Sequence, residues 1–461
     1  MKKKIAILGT ILVLGLGKLV MAQVWERIIP YGSPPEKRDG HVLVSSGGND
    51  QFVFGGFDQN TNLWVLRYEG DTWRWENMGA KGDTPGTRGG HSGIFAREDG
   101  LTDESIIIFG GSESFLGVLV DSGTYSLGNP WDWNSAWEKL NTGGTRPSSR
   151  AEHTAVYDEW THEMIVFGGY TGTSPIVVST ITYTLQLSVA PATWQEVPIV
   201  GEIPPPRYGH SAVWGQMWGI GQMIVFGGKD NSEELLDDCW RLEWSDWHEI
   251  DVTGDKPPAR WQHTAAWIMG DPGEQGKMII FGGEDEDGTP LDDVWILWEP
   301  APGGPPDWRW EKIYPIGDLP CARMGHAVAT GWNWEGERMV YIFGGDDGDE
   351  NLNDIYVFFK GEQVEKSLER KPFNAPNPFN PDMEDTKICY YLEEDDDVKI
   401  RLFTLTGELV YSWENISGRE GLNQWPWNGR NEKGKIVENG GYICLIEAGG
   451  EKQKCKIAVL R

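Results

Sequence analysis

Residues 150–170 read RAEHTAVYDEWTHEMIVFGGY. The stretch holds an arginine three residues before a histidine, a second histidine, acidic side chains and an apolar run that ends in Phe-Gly-Gly. Alone, it offers the side chains of a catalytic or metal-binding cluster, because imidazole and carboxylate serve both as general bases and as metal ligands. The rest of the chain makes it one copy of a repeat. FGG begins at residues 54, 109, 167, 226, 281 and 343, each time closing a short apolar run. Upstream of each copy stands R-x-x-H: Arg38 and His41, Arg88 and His91, Arg150 and His153, Arg207 and His210, Arg260 and His263, Arg323 and His326. Thirteen residues before each arginine is a tryptophan: Trp25, Trp75, Trp137, Trp194, Trp247 and Trp310. A catalytic centre occurs once per chain, so six copies at fixed spacing are read as scaffold. The histidines are then expected to hydrogen-bond neighbouring backbone, the glycines to allow conformations closed to a side chain, and each arginine to tie its turn to a neighbouring unit.

A third apolar segment follows each FGG: NLWVLRY, GTYSL, ITYTL, DCWRL, DVWIL and DIYVF. Each unit is therefore expected to hold four short strands rich in β-branched and aromatic residues, separated by Gly/Pro/Asp turns. Four strands per unit, one of them ending in Gly-Gly, resemble the kelch repeat. The resemblance implies an all-β fold over residues 23–361, a six-bladed β-propeller with strands a to d running outward from a central channel. VWERI precedes any a strand, and the sixth unit ends at DIYVFFKG with no d strand. Residues 24–29 are therefore expected to supply the outer strand of blade six and leave no open edge.

Two further segments flank the repeat. The N-terminus, MKKKIAILGTILVLGLGKLVMAQ, has three lysines, an apolar run too short to span a bilayer, and small or apolar residues before Gln23. It is read as a signal peptide over residues 1–22 with cleavage between Ala22 and Gln23. Residues 362–375 read as a polar, Pro/Asn-rich linker. Beyond it, residues 376–461 carry strand patterns such as DVKIRLFTL and GYICLIEA, together with NPFNP, WNGRNEKGKIVENGGYIC and a terminal KIAVLR. This segment resembles the Ig-like domain of flagellar hook-capping proteins and of type IX secretion sorting domains. That resemblance implies a small β-sandwich engaged by export machinery, with the protein extracellular or on the outer cell surface. The five cysteines are Cys239, Cys321, Cys389, Cys444 and Cys455, an odd number. A two-residue turn at Gly449-Gly450 would set Cys444 opposite Cys455, so this pair is the candidate disulfide.

Seventy acidic against forty basic residues give a formal net charge of -30. Such a surface repels phosphates, which excludes nucleic acid and anionic lipid as partners; the mature chain has no transmembrane segment. Strand alternation brings the d-a and b-c loops to one face. There, positions that vary within the fixed motif are the candidates for ligand binding: Asp39, Tyr208, Trp261 and Met324 follow the repeated arginines at the channel mouth. Tyr208 and Trp261 are the candidates for stacking on a glycan. The acidic b-c loops KDNSEELLDD, EDEDGTPLDD and DDGDENLND do not match a calcium-binding EF-hand loop. A looser calcium site would fall on Asp285, Asp287, Asp346, Asp347 and Asp349; no other cofactor is implied. No catalytic residue is singled out, and the reading leans away from an enzyme. The expected function is that of an exported binding protein for an extracellular protein or glycan. The alternative is a carbohydrate-active enzyme, such as a sugar epimerase, using the same face; a raised carboxyl beside an arginine at the mouth would mark it.

Overall fold

The computed structural model describes residues 23–57, 61–69, 72–97, 104–115, 117–120, 122–173, 176–217, 220–270, 276–300, 308–332, 338–360, 372–375, 379–381, 386–392, 396–418 and 421–461. The signal-peptide reading of residues 1–22, Ala22 included, lies outside them. The chain divides into two compact units, Gln23–Lys360 and a C-terminal one beginning at Gly361.

Within Gln23–Lys360, six antiparallel sheets repeat one order. In the first, strand a (Val42–Ser45) pairs with b (Gln51–Phe54), b with c (Leu63–Glu69), and c with d (Thr72–Gly79). The b strands are nearly all buried: SIIIF, EMIVF and KMIIF are unbroken apolar runs apart from their first residue. This is what a strand covered on both faces by neighbouring blades requires. The sixth sheet takes its outer strand from the other end of the unit. Gln23–Ile28 runs antiparallel to Ile355–Lys360, with Gln23 opposite Lys360 and Ile28 opposite Ile355. The segment leaving each d strand then latches in parallel onto the outer strand of the next blade. Gly143–Gly144 pairs this way with Thr193–Glu196, Ile316–Gly317 with Gln23–Ile28, and single bridges join Tyr31 to Arg74 and Gly82 to Trp137.

The repeated residues make the joints between blades. Each FGG phenylalanine is gripped by the tryptophan and the histidine of the following blade. Phe54 lies 5.1 Å from Trp137 and 5.8 Å from His91, and Phe343 lies 5.2 Å from Trp75 and 5.3 Å from His41. Each buried arginine donates Nη1–H to the carbonyl of the first glycine of FGG in its own blade, as Arg38 does to Gly55 and Arg323 to Gly344. The bond between blades is a different one. The second glycine donates its N–H to the arginine carbonyl of the next blade, from Gly56 to Arg88 around to Gly345 and Arg38. The expected tie to a neighbour is thus made by the arginine backbone while its side chain braces its own blade. Four of the histidines depart from expectation, while His41 and His91 bond the backbone of Phe343 and Phe54 as expected. Nε2 of His153, His210, His263 and His326 pairs with the hydroxyls of Ser92, Thr154, Ser211 and Thr264, side chains rather than backbone.

The C-terminal unit is built from two sheets. One joins Phe373–Ala375, Thr386–Leu392 and Gly421–Trp427; the other joins Leu409–Gly418, Asp396–Thr404, Gly440–Ala448 and Glu451–Val459. Inward positions Ile388, Tyr390, Ile400, Leu402, Trp427, Cys444 and Ile457 fill its core. Phe373–Ala375 falls in the segment assigned to a linker over 362–375 and is instead an edge strand. Its Asn374, a polar residue that signalled linker, is buried and donates to Thr386 Oγ1 at 2.9 Å. Cys444 and Cys455 stand directly opposite each other, and both are free thiols instead of the expected bridge.

Candidate functional site

The residue before each repeated histidine forms the neck of the channel: Gly40, Gly90, Glu152, Gly209, Gln262 and Gly325. Their backbones close a ring. Gly90 N–H donates to Gly40 O, Glu152 to Gly90, Gly209 to Glu152, Gln262 to Gly209, Gly325 to Gln262 and Gly40 to Gly325, at 2.7 to 3.0 Å. All six residues hold φ between 51° and 63°. Glycine enters this left-handed region freely, whereas a side chain there costs about 1–2 kcal/mol. Two blades nonetheless place Glu152 and Gln262 in it.

These six residues and the six repeated histidines line a cavity of about 120 Å³. Burial, then the charge of Asp39, push the Glu152 carboxyl up to about 7, against a hydrogen bond from Gln262. Burial and the adjoining arginines hold all six histidines below their usual range, to about 3 for His91 and His263. They are therefore neutral near pH 7. The hydroxyl that pairs with Nε2 comes from the residue after the preceding blade's histidine. For His91 and His41 that residue is Val42 and Ala327, so the hydroxyl is missing, and each ring bonds only the backbone of the preceding blade's FGG phenylalanine, Phe54 and Phe343.

Two sets of varied residues form the rim. Those following the arginines bridge to those following FGG: Gly89 to Ser112, Ala151 to Tyr170, Tyr208 to Lys229, Trp261 to Glu284 and Met324 to Asp346, while Phe57 N–H donates to Asp39 O. One side of the rim is aromatic. Ring contacts run from Phe57 to Phe115, to Trp261, to Tyr208 and to Tyr170. Phe115, from the second blade, thus reaches Trp261 of the fifth. The other side is acidic, with Glu284, Asp346 and Asp39.

This geometry sorts the residues named from sequence. Asp39 is half-buried beside Glu152, and Met324 is half-buried on the rim. Tyr208 and Trp261 are 1% and 5% exposed, and Lys229 Nζ lies 3.5 Å from the centroid of the Trp261 ring. Their faces are covered, which overturns their assignment to glycan stacking. The signal that misled was the exposure normally expected of a loop; aromatic neighbours from other blades bury them. The acidic residues also have other work. Asp285 Oδ1 accepts from the N–H of Asp287 and Thr289, Asp346 Oδ1 from Gly348, and Asp347 Oδ1 from Asp349 and Glu350. They cap their own turns. Among the described residues, no group of three His, Cys, Asp or Glu side chains is arranged to hold a metal, which leaves the calcium expectation without support. The part-buried Asp238, Asp293 and Asp354 pair with the buried Arg207, Arg260 and Arg323. The mark of the enzyme alternative is only half met: a raised carboxyl is present, but no arginine acts on it. Glu152, Gln262 and the set Phe57, Ser112, Tyr170, Lys229, Glu284 and Asp346 were missed. Their signal was available, as departures from glycine before the histidine and as variation after FGG.

Two family models match the unit. A KLHDC2/KLHL20/DRC7 Kelch-repeats domain matches residues 178–363, and an Attractin/LZTR1 beta-propeller matches residues 19–239. With the six sheets and the closed ring, they mark the fold of this unit as a β-propeller similar to those of kelch-repeat proteins. Acyl-CoA-binding domain-containing protein 5 of Arabidopsis thaliana is 27% identical over 56% of this chain and 36% of its own length. F-box/kelch-repeat protein At1g51550 of Arabidopsis thaliana is 28% identical, over 64% of each chain. The chain thus spans between about a third and two thirds of the length of these relatives. The solved "Structure of YjhT" shares the fold at 16% identity, with a TM-score of 0.51 over 71% of this chain and 96% of that one.

Proposed function

We propose that the propeller is a protein-binding module that takes its partner on the face formed by the d-a and b-c loops. One observation carries this reading: twelve rim positions differ from blade to blade on a framework whose other repeated residues all serve the joints. Fixed scaffold with varied rim is the design of a recognition surface. Acidic residues on the rim and in the b-c loops favour a basic segment of the partner, because like charge suppresses acidic competitors. Phe115, 39% exposed above the aromatic side, is its apolar anchor. The apolar N-terminal segment and the resemblance of the C-terminal unit to sorting domains support export, with the partner outside the cell.

The test is selection of peptides from a random display library against the full-chain protein. Basic sequences with an apolar neighbour are expected, and their binding should fall on Phe115→Ala and on Glu284→Lys. It should be unchanged on Trp160→Ala, whose exposed ring lies in the loop between strands a and b, on the opposite face. Selected peptides that respond to Trp160→Ala alone would move the interface to that other face.

A further inference from the structure

We propose that the cavity inside the backbone ring is a binding site for a primary ammonium group, held by the Glu152 carboxylate, the Gln262 side-chain carbonyl and the imidazole nitrogens of His41 and His91.

The chemistry of the lining selects this ligand. A carboxylate and a neutral imidazole nitrogen are hydrogen-bond acceptors, and Gln262, once its amide N–H is spent on Glu152, presents its oxygen. What enters must bring donors, and a negative site favours a cationic one. An ammonium head offers three N–H donors on a single point of charge. A metal ion would need three ligands in close array, an arrangement absent among the described residues.

Three independent features point to a ligand. His41 and His91 are 6% and 5% exposed, line the cavity, and each keeps, beyond one bond to the backbone of Phe343 or Phe54, a ring nitrogen without a hydrogen-bond partner. Buried polar atoms are left unpaired so rarely that each calls for an occupant. Glu152 and Gln262 retain side chains in a backbone region where the other four blades use glycine, a strain that marks functional positions. The volume of about 120 Å³ is that of about four waters, enough for an aminoalkyl head. The ammonium can come from a free small amine or from a lysine side chain. The inference rests on the cavity and does not require the rim to bind a partner.

The experiment is calorimetric titration of the full-chain protein with n-butylammonium, with N-acetyl-lysine methylamide as the peptide-borne form. Tetramethylammonium, a cation without N–H, is the control. Both primary ammonium ions, or either one, should bind saturably and the control should not; which of the two binds identifies the source. Glu152→Gln and Glu152→Gly should each weaken binding about tenfold or more, and the exposed Glu249→Gln should not. Glu152→Gly restores the ring residue of four other blades, so loss of folding does not cloud its result. Between about pH 6 and pH 8, binding should tighten about tenfold as Glu152 ionises. Asp39, Tyr208 and the six cavity histidines are the titratable groups facing it; the histidines stay neutral across that range. Absence of saturation at millimolar amine, equal binding of tetramethylammonium, or indifference to both Glu152 variants overturns the proposal. Glu284→Lys should leave amine binding intact, which separates this site from the rim.

Discussion

Trp25, the third residue of the propeller unit, packs its indole against Phe281 at 5.4 Å, from a strand whose pairing partner is the last one of the unit. The ring is therefore shut by contacts between its two ends. Trp25 is 2% exposed and also meets Phe358 at 5.0 Å, so its loss leaves a cavity beside the one pairing, Gln23–Ile28 with Ile355–Lys360, whose two strands come from opposite ends of the unit. Trp25→Ala should cost about 3–5 kcal/mol, as removal of a buried aromatic does. The same change at Trp247 should cost a similar amount. The two should differ in proteolysis: only Trp25→Ala should release the segment Gln23–Ile28 to cleavage while the other blades resist. Denaturant unfolding and limited proteolysis of the two variants check this.

The histidines set the acid limit. Burial and the adjoining arginines depress all six, so protons are excluded from the native ring and bound by the unfolded chain. A depressed histidine contributes stability that is complete above its unfolded value and is lost as pH falls toward its folded one. For His91 and His263 that window runs from 6.5 down to about 3. The propeller should therefore lose several kcal/mol between about pH 6.5 and pH 4, taking up several protons as it unfolds. His263→Gln should flatten the slope of stability against pH by about one proton, whatever its effect on stability at pH 8. A variant with an unaltered slope would place the proton uptake elsewhere.

The arginines offer a contrast between blades. Arg260 donates to both carboxylate oxygens of Asp293, whereas Arg150 lies 5.1 Å from the Tyr183 ring centroid with no carboxylate in that place. Burial alone would raise the Asp293 carboxyl, yet Arg260 and the Trp295 indole N–H hold it below its usual range. Arg260→Met strands a part-buried carboxylate and should cost about 3–5 kcal/mol. Adding Asp293→Asn should recover part of that loss, because the orphan then carries no charge. A double mutant no more stable than Arg260→Met would show that the guanidinium acts only through the Gly282 carbonyl.

Much of this was written in the repeat. The spacing of tryptophan, arginine, histidine and FGG implied four strands per unit, and VWERI standing before any a strand implied that the first strand belonged to the last blade. What the repeat concealed was direction. It marked Arg207 and His210 as fixed, but not that the first braces its own blade and the second reaches the preceding one. The rim was harder. Tyr208 and Trp261 read as exposed because they sit on loops, and only the convergence of blades two, three, four and five over the channel buries them. Glu152 and Gln262 were legible in principle, as two interruptions in a column of glycines, but the neighbouring column varies more and masks them. Their conformation, φ of 54° and 51°, is what gives the interruption meaning.

That conformation leads to a prediction about cost. A carboxyl raised to about 7 in the folded protein binds its proton more tightly there than in the unfolded chain. Its destabilising effect is nil below the unfolded value near 4.5 and grows to its full size above about 7. Glu152→Gln should therefore match the wild type near pH 4 and exceed it by about 2–3 kcal/mol near pH 8, since it removes the charge and keeps the strain. Glu152→Gly should gain at both values, because it also relieves about 1 kcal/mol of left-handed backbone. Thermal unfolding of the three proteins at the two pH values separates the two contributions. If Glu152→Gly gains nothing at pH 4, the backbone is at ease with a side chain there. If Glu152→Gln gains nothing at pH 8, the carboxyl is solvated. Gains in both would mean that this blade holds an acid in the neck against its own stability, as expected of a residue kept for what it binds.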